Sequence, residues 1–219
     1  MGLVLIVIDM PDYSFGLTAQ NIVMFVDNGS WATARGVTSS GDIYKDNTGT
    51  RTEGSLIGFY RIARFGMPFD TAAIPDALDL AGATVKIKVY IESVATADAG
   101  HYLRLVDFNP ANPASTVGAD YNDFGTTAFA NDILATDFSG AGYYTFTLNA
   151  SGIANINKTG ISCFGLRQRN DVENSTPTGS NEINVQTRTE ANPPILEIYL
   201  PAGGQNPMFF GGGRGFTLG

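Results

Sequence analysis

The stretch Asp120-Tyr121-Asn122-Asp123-Phe124 places two carboxylates and two aromatic rings within five residues. Carboxylate oxygens at this spacing suit a hard cation such as Ca2+, and aromatic faces suit a pyranose ring. The same residue types also describe a solvated loop with two aromatics tucked onto a sheet edge. A second cluster sets Asp171, Glu173 and Glu182 near Arg167, Arg169 and Arg188. Glycoside hydrolysis needs two carboxylates facing each other across a cleft, which spacing on separate strands does not establish. Alternating signs on neighbouring strands point instead to a salt-bridged surface. Cys163, the one cysteine, lies in the apolar run Ile161-Ser162-Cys163-Phe164-Gly165-Leu166 and reads as a small core hydrophobe. The one histidine, His101, precedes Tyr102-Leu103-Arg104-Leu105 at a turn, so no Cys/His nucleophile pair is indicated. No Gly-Xaa-Ser-Xaa-Gly elbow, phosphate loop or His-Glu-Xaa-Xaa-His helix is present. The expectation is a protein that is not an enzyme, has no catalytic residues and needs no cofactor, with Ca2+ at the Asp120–Asp123 loop left open.

The elements that must position these residues are strands. In Ala83-Thr84-Val85-Lys86-Ile87-Lys88-Val89-Tyr90-Ile91 every odd position is apolar, while Thr84, Lys86 and Lys88 point the other way. Only a period of two does this. One dry face and one wet face belong to an antiparallel sheet packed on a second layer. Further strands are expected at 21–27, 57–65, 102–108, 143–149, 161–167, 183–187 and 195–200, with long loops and at most one short strand over 31–54. A helical turn over 150–156 would be capped by Ser151, and 109–142 is the most loop-like insertion, of a length usually tied to function. The spacing predicts an all-β fold, an antiparallel two-sheet jelly-roll or β-sandwich.

Composition agrees. A chain of 219 residues with 43% apolar and only 16% charged residues can build a core and a turn-rich β domain. A net charge of -8 lacks the cationic surface that phosphate neutralisation requires, so nucleic acid is not an expected partner. Four Asn-Xaa-Ser/Thr triplets begin at Asn28, Asn149, Asn157 and Asn174 and carry no weight outside a secretory chain.

Both ends are apolar. Leu3, Leu5 and Val7 belong to a six-residue apolar run that ends at Asp9, too short to span a bilayer and without the basic flank of a signal peptide. It reads as a buried strand, or as an arm against a neighbouring chain. Beyond Pro201 the Gly-rich stretch carries Met208, Phe209, Phe210 and Phe216. Apolar groups gain nothing in a free tail, so this segment is expected to dock. The predicted organisation is an arm over 1–20, a sandwich over 21–200 and a second arm over 201–219.

The run Phe59-Tyr60-Arg61-Ile62-Ala63-Arg64-Phe65, then Phe69-Asp70-Thr71-Ala72-Ala73-Ile74-Pro75 and Gly82-Ala83-Thr84-Val85-Lys86-Ile87-Lys88-Val89-Tyr90, resembles the DNRLRE-type jelly-roll domain. It is similar to carbohydrate-binding-module-like sandwiches of phage structural proteins and bacterial surface proteins. Phe164-Gly165-Leu166-Arg167, Asn170-Asp171-Val172-Glu173-Asn174 and Pro194-Ile195-Leu196-Glu197-Ile198-Tyr199 extend the likeness. The resemblance implies an adhesive or structural sandwich without a catalytic motif. Two functions follow as expectations. One is a structural protein of a phage virion, as capsid decoration, head fibre or tail component. It would assemble with copies of itself and other virion subunits, with glycan adhesion through its loops and no membrane contact. The alternative is a carbohydrate-binding module at a bacterial surface or outside the cell.

Overall fold

The computed structural model describes residues 10–17, 22–38, 42–45, 50–54 and 60–201. The expected N-terminal strand, with Leu3, Leu5 and Val7, and the expected C-terminal docking residues Met208, Phe209, Phe210 and Phe216 lie outside them.

The chain is an all-β sandwich of two antiparallel sheets packed face to face. Its elements run β1 (Tyr13–Gly16), β2 (Ile22–Asn28), α1 (Trp31–Gly36), β3 (Asp42–Lys45), β4 (Thr50–Gly54), β5 (Tyr60–Asp70), β6 (Thr84–Thr96) and β7 (Tyr102–Phe108). A 3-10 turn (Gly118–Asp123), β8 (Phe124–Ala128), β9 (Ile133–Leu134), a second 3-10 turn (Ala135–Asp137) and β10 (Gly142–Thr147) follow. The chain closes through α2 (Ala150–Ala154), β11 (Ile161–Gln168), α3 (Arg169–Glu173), β12 (Ser180–Val185) and β13 (Ile195–Tyr199).

One sheet is built on β6, flanked by β13 and β10, with β1 outside β13. The other is built on β5, β11 and β7, with β2 and β3 beyond β5 and with β8 and β9 beyond β7. β12 and β4 carry the ladder from the far half of β6 to β5. Alternation on β6 turns Val85, Ile87, Val89 and Ile91 inward, where they meet Phe65, Met67, Phe69, Leu105, Phe164 and Leu166 from the opposite sheet. Lys86, Lys88 and Tyr90 stay on the outer, half-exposed side, as the period of two requires.

β5 behaves differently. Every residue from Ile62 to Phe69 is buried, so both faces of this strand are covered. Its outer face supports a second, smaller core of Met24, Val26, Trp31, Ala34, Ile62, Val106, Phe108, Tyr121, Phe124 and Cys163. The cover comes in part from α1, where loops and at most one short strand were expected over 31–54. Ser30 caps this helix by accepting from the Thr33 N–H at 3.2 Å, and Trp31 and Ala34 form an i, i+3 apolar stripe. Two short strands, β3 and β4, complete that region. The expected insertion over 109–142 is also more ordered than its composition suggests, holding β8, β9 and two 3-10 turns. The helical turn at α2 is capped by Asn149, not Ser151, through a 3.0 Å bond from the Gly152 N–H.

Candidate functional site

The Asp120–Phe124 stretch forms the 3-10 turn and the start of β8, lying over the outer face of β5, β11 and β7. Asp120 is buried and spends its carboxylate on the chain itself. Oδ2 accepts from the Val117 N–H at 2.7 Å, and Oδ1 accepts from the Ala111 N–H at 3.4 Å. Tyr121 is fully buried, with the Arg64 guanidinium 3.9 Å from its ring centroid. Phe124 is 3% exposed and stacks on Phe108 at 4.0 Å between ring centroids. Neither ring offers a face to a sugar. The aromatics belong to the outer core, because covering β5 and β11 requires apolar mass on that side. Asp123 is half-buried, and burial together with the adjacent Asp120 carboxyl pushes its carboxyl up. Among the described residues no group of three or more Asp, Glu, His or Cys side chains is placed to hold a metal ion.

The ring pair rests on a floor with no side chains. Gly66 of β5 and Gly165 of β11 are cross-strand partners. A Cβ on Gly66 would lie 2.7 Å from the Phe108 ring, and one on Gly165 would lie 2.5 Å from the Phe124 ring. Both glycines are therefore required by close approach.

Beside this floor lies an ionic clamp that departs from the surface salt bridges expected of the second cluster. Asp171, on α3, is 1% exposed and is shared by two buried guanidiniums. Arg64 Nε and Nη2 donate to its two carboxylate oxygens at 2.8 Å each, and Arg167 Nε and Nη2 donate to the same oxygens at 2.7 Å each. Burial alone would raise the Asp171 carboxyl, but the two cations outweigh it and hold it well below the usual carboxylate range. Burial alone would likewise lower Arg64, and Asp171 outweighs it to raise that guanidinium. The remaining donors reach the main chain. Arg64 Nη1 donates to the Tyr121 carbonyl at 2.7 Å, Arg167 Nη1 to the Phe124 and Gly125 carbonyls at 3.1 and 2.6 Å, and Arg35 Nε to the Asp171 carbonyl at 2.9 Å. Asp171 thus ties β5 and β11 to α3 through its carboxylate and α1 through its carbonyl, while Arg64 and Arg167 extend the clamp to the 3-10 turn and β8. Its donors are spent on the protein, so the cluster positions elements and does not present an open anion site. Of the other members, Glu173 pairs with Arg169 at 2.9 Å in a half-exposed bridge of the expected kind.

Cys163 sits in the outer core with its thiol pushed up to about 12 by burial. His101 is buried elsewhere, with Nε2 2.9 Å from Gln168 Oε1, and burial lowers it. The two are not brought together by any contact.

Two surfaces were not singled out by residue type. The first is the outer face of the β6 sheet. There Lys88 Nζ meets Glu197 at 2.8 Å, Lys86 Nζ lies 4.3 Å from the Tyr199 ring centroid, and Tyr90 and Tyr143 cross edge to face at 5.4 Å. Tyr143 is 41% exposed. The second is an apolar groove of about 630 Å3 between the β5–β6 connection and α2, walled by Leu78, Leu80, Ala150, Ile153, Ala154 and Ile156. The alternation at Lys86, Lys88 and Tyr90 could have announced the sheet face. The groove had no local signal, since its walls lie some seventy residues apart.

Among the described residues no helix is long and apolar enough to cross a membrane. No protein-family model matches the chain, and no curated protein matches it with significant similarity.

Proposed function

We propose that this chain is a non-enzymatic structural protein of a phage particle, a capsid decoration, head fibre or tail component whose sandwich is a rigid body and whose apolar termini mediate assembly. The observation that carries the proposal is the pairing of an apolar surface with an apolar tail. The last described residue, Pro201, packs beside Gly82 at the rim of the 630 Å3 groove. The following eighteen residues carry Met208, Phe209, Phe210 and Phe216 among glycines. A tail of this composition gains free energy only by burying those rings. The double burial of β5 and the Asp171 clamp give the body the stiffness that a lattice or fibre subunit uses. Its partners on this reading are copies of itself and other virion subunits.

Light scattering at rising concentrations, up to the millimolar range, tests the proposal. The full chain should gain mass while a chain ending at Pro201 stays monomeric; equal monomeric behaviour of the two would overturn it.

A second reading, a carbohydrate-binding module of a bacterial surface or secreted protein, is favoured by the outer face of the β6 sheet. Tyr143, Tyr90 and Tyr199 stand there among Lys86, Lys88 and Glu197, the mixture of rings and hydrogen-bonding groups that takes sugars. The loop aromatics Tyr121 and Phe124 do not support it, being buried. On a glycan array, binding that disappears with Tyr143→Ala would favour this reading over the first.

A further inference from the structure

We infer that the apolar groove between the β5–β6 connection and α2 is the docking site for the chain's own C-terminal segment, with Met208, Phe209 and Phe210 as its anchors. This rests on the same tail as the assembly reading and deepens it: at micromolar protein the chain's own groove holds the anchors, and a neighbour takes them only as its concentration approaches that of the tether.

The groove is preformed. Leu78, Leu80 and Ile156 are mostly buried and make its floor, while Ala150, Ile153 and Ala154 form the α2 wall. Lys158 Nζ donates to the carbonyls of Asp76 and Leu78, fixing the opposite wall to the segment that follows α2. A concavity of about 630 Å3 falls within the roughly 300–1,000 Å3 of sites that engulf compact apolar ligands. The chain itself supplies a match. β13 ends at Tyr199, and the Pro201 ring lies 4.0 Å from where a Gly82 Cβ would stand, with Gly82 on the groove's rim. From there Ala202-Gly203-Gly204-Gln205-Asn206-Pro207 precedes Met208. Six residues reach at most about 20 Å when extended and average about 13 Å when Gly-rich. The anchors are thus tethered over the groove at an effective concentration in the millimolar range. A second copy at micromolar concentration does not compete with such a tether. The glycines at 203 and 204 allow the reversal that brings the segment back.

A disulfide-trapping experiment on the full chain decides it. Ala154→Cys places a thiol on the α2 wall, and Gly211→Cys places one directly after the anchors. Cys163 stays out of the exchange, being buried. Air oxidation at micromolar protein should give a covalently closed monomer on a non-reducing gel. The same pair carrying Phe209→Ser and Phe210→Ser keeps the tether but loses the rings, and should close at least about tenfold more slowly. Closure at equal rates with and without the rings would overturn the inference, showing tether proximity without docking. Disulfide-linked dimers in place of closed monomers would also overturn it, making a second copy's tail the occupant and leaving the assembly proposal standing. Failure to form either species would leave the groove without this ligand and the inference refuted.

Discussion

Both faces of the β5–β11–β7 sheet carry an apolar core, but the smaller outer one is supplemented by an ionic clamp. The inner face meets the β6 sheet through Phe65, Met67, Phe69, Leu105, Phe164 and Leu166, an interface long enough for apolar contact alone to hold it. The outer face is covered by α1, six residues long, and by a 3-10 turn of six. Such short pieces have almost no stability of their own. They are held by directional contacts, with Asp171 gathering Arg64 and Arg167 in ion pairs and receiving Arg35 at its carbonyl. Where area is scarce, a buried carboxylate with two guanidiniums specifies which piece sits where.

Removing that carboxylate should therefore be the most damaging change on the outer face. Asp171→Asn leaves two guanidiniums buried without their counter-charge and should lower unfolding free energy by about 3–5 kcal/mol in urea titration. A loss below about 1 kcal/mol would mean that apolar packing holds both faces alike. Next in size, Gly165→Ala forces the Phe124 ring off its floor and should cost about 1–3 kcal/mol, with Phe124 and Phe108 losing their stack in ring-proton NMR spectra.

The pH dependence separates the regions further. The folded Asp171 carboxyl is depressed, so its contribution is fully present above the unfolded value near 3.9 and is lost as pH falls from there toward the lower folded value. His101 is buried and lowered, so stability from keeping it neutral is present above about 6.5 and declines as pH falls through that value toward the folded one. Each group contributes a slope of at most about 1.4 kcal/mol per pH unit. His101→Asn should remove the first decline and Asp171→Asn the second, read from urea midpoints between pH 3 and 8. The smallest effect belongs to the β6 outer face. Lys88→Met breaks a part-exposed pair with Glu197 and should change stability by less than about 1 kcal/mol.

The alternation from Ala83 to Ile91 determined by itself that a two-layer antiparallel structure forms, because only one orientation of that strand keeps Lys86 and Lys88 in water. The strand expected at 102–108 forms there, but without that alternation, since Leu105 and Val106 are adjacent and both buried. The strand expected to end at residue 65 continues to Asp70 with both faces buried from Ile62 to Phe69, and Arg64 within it gave no hint of its partner. Asp171 stands 107 positions away from Arg64 and is brought to it by the pairing of β5 with β11 and the turn into α3. The Asp120–Phe124 loop carried residue types suited to a ligand, and tertiary packing gave them another use, since the sheet beneath needed a cover. The groove beside Pro201 was decided only by the tertiary structure. Its walls come from the β5–β6 connection and α2, and local periodicity does not report which distant segments face each other.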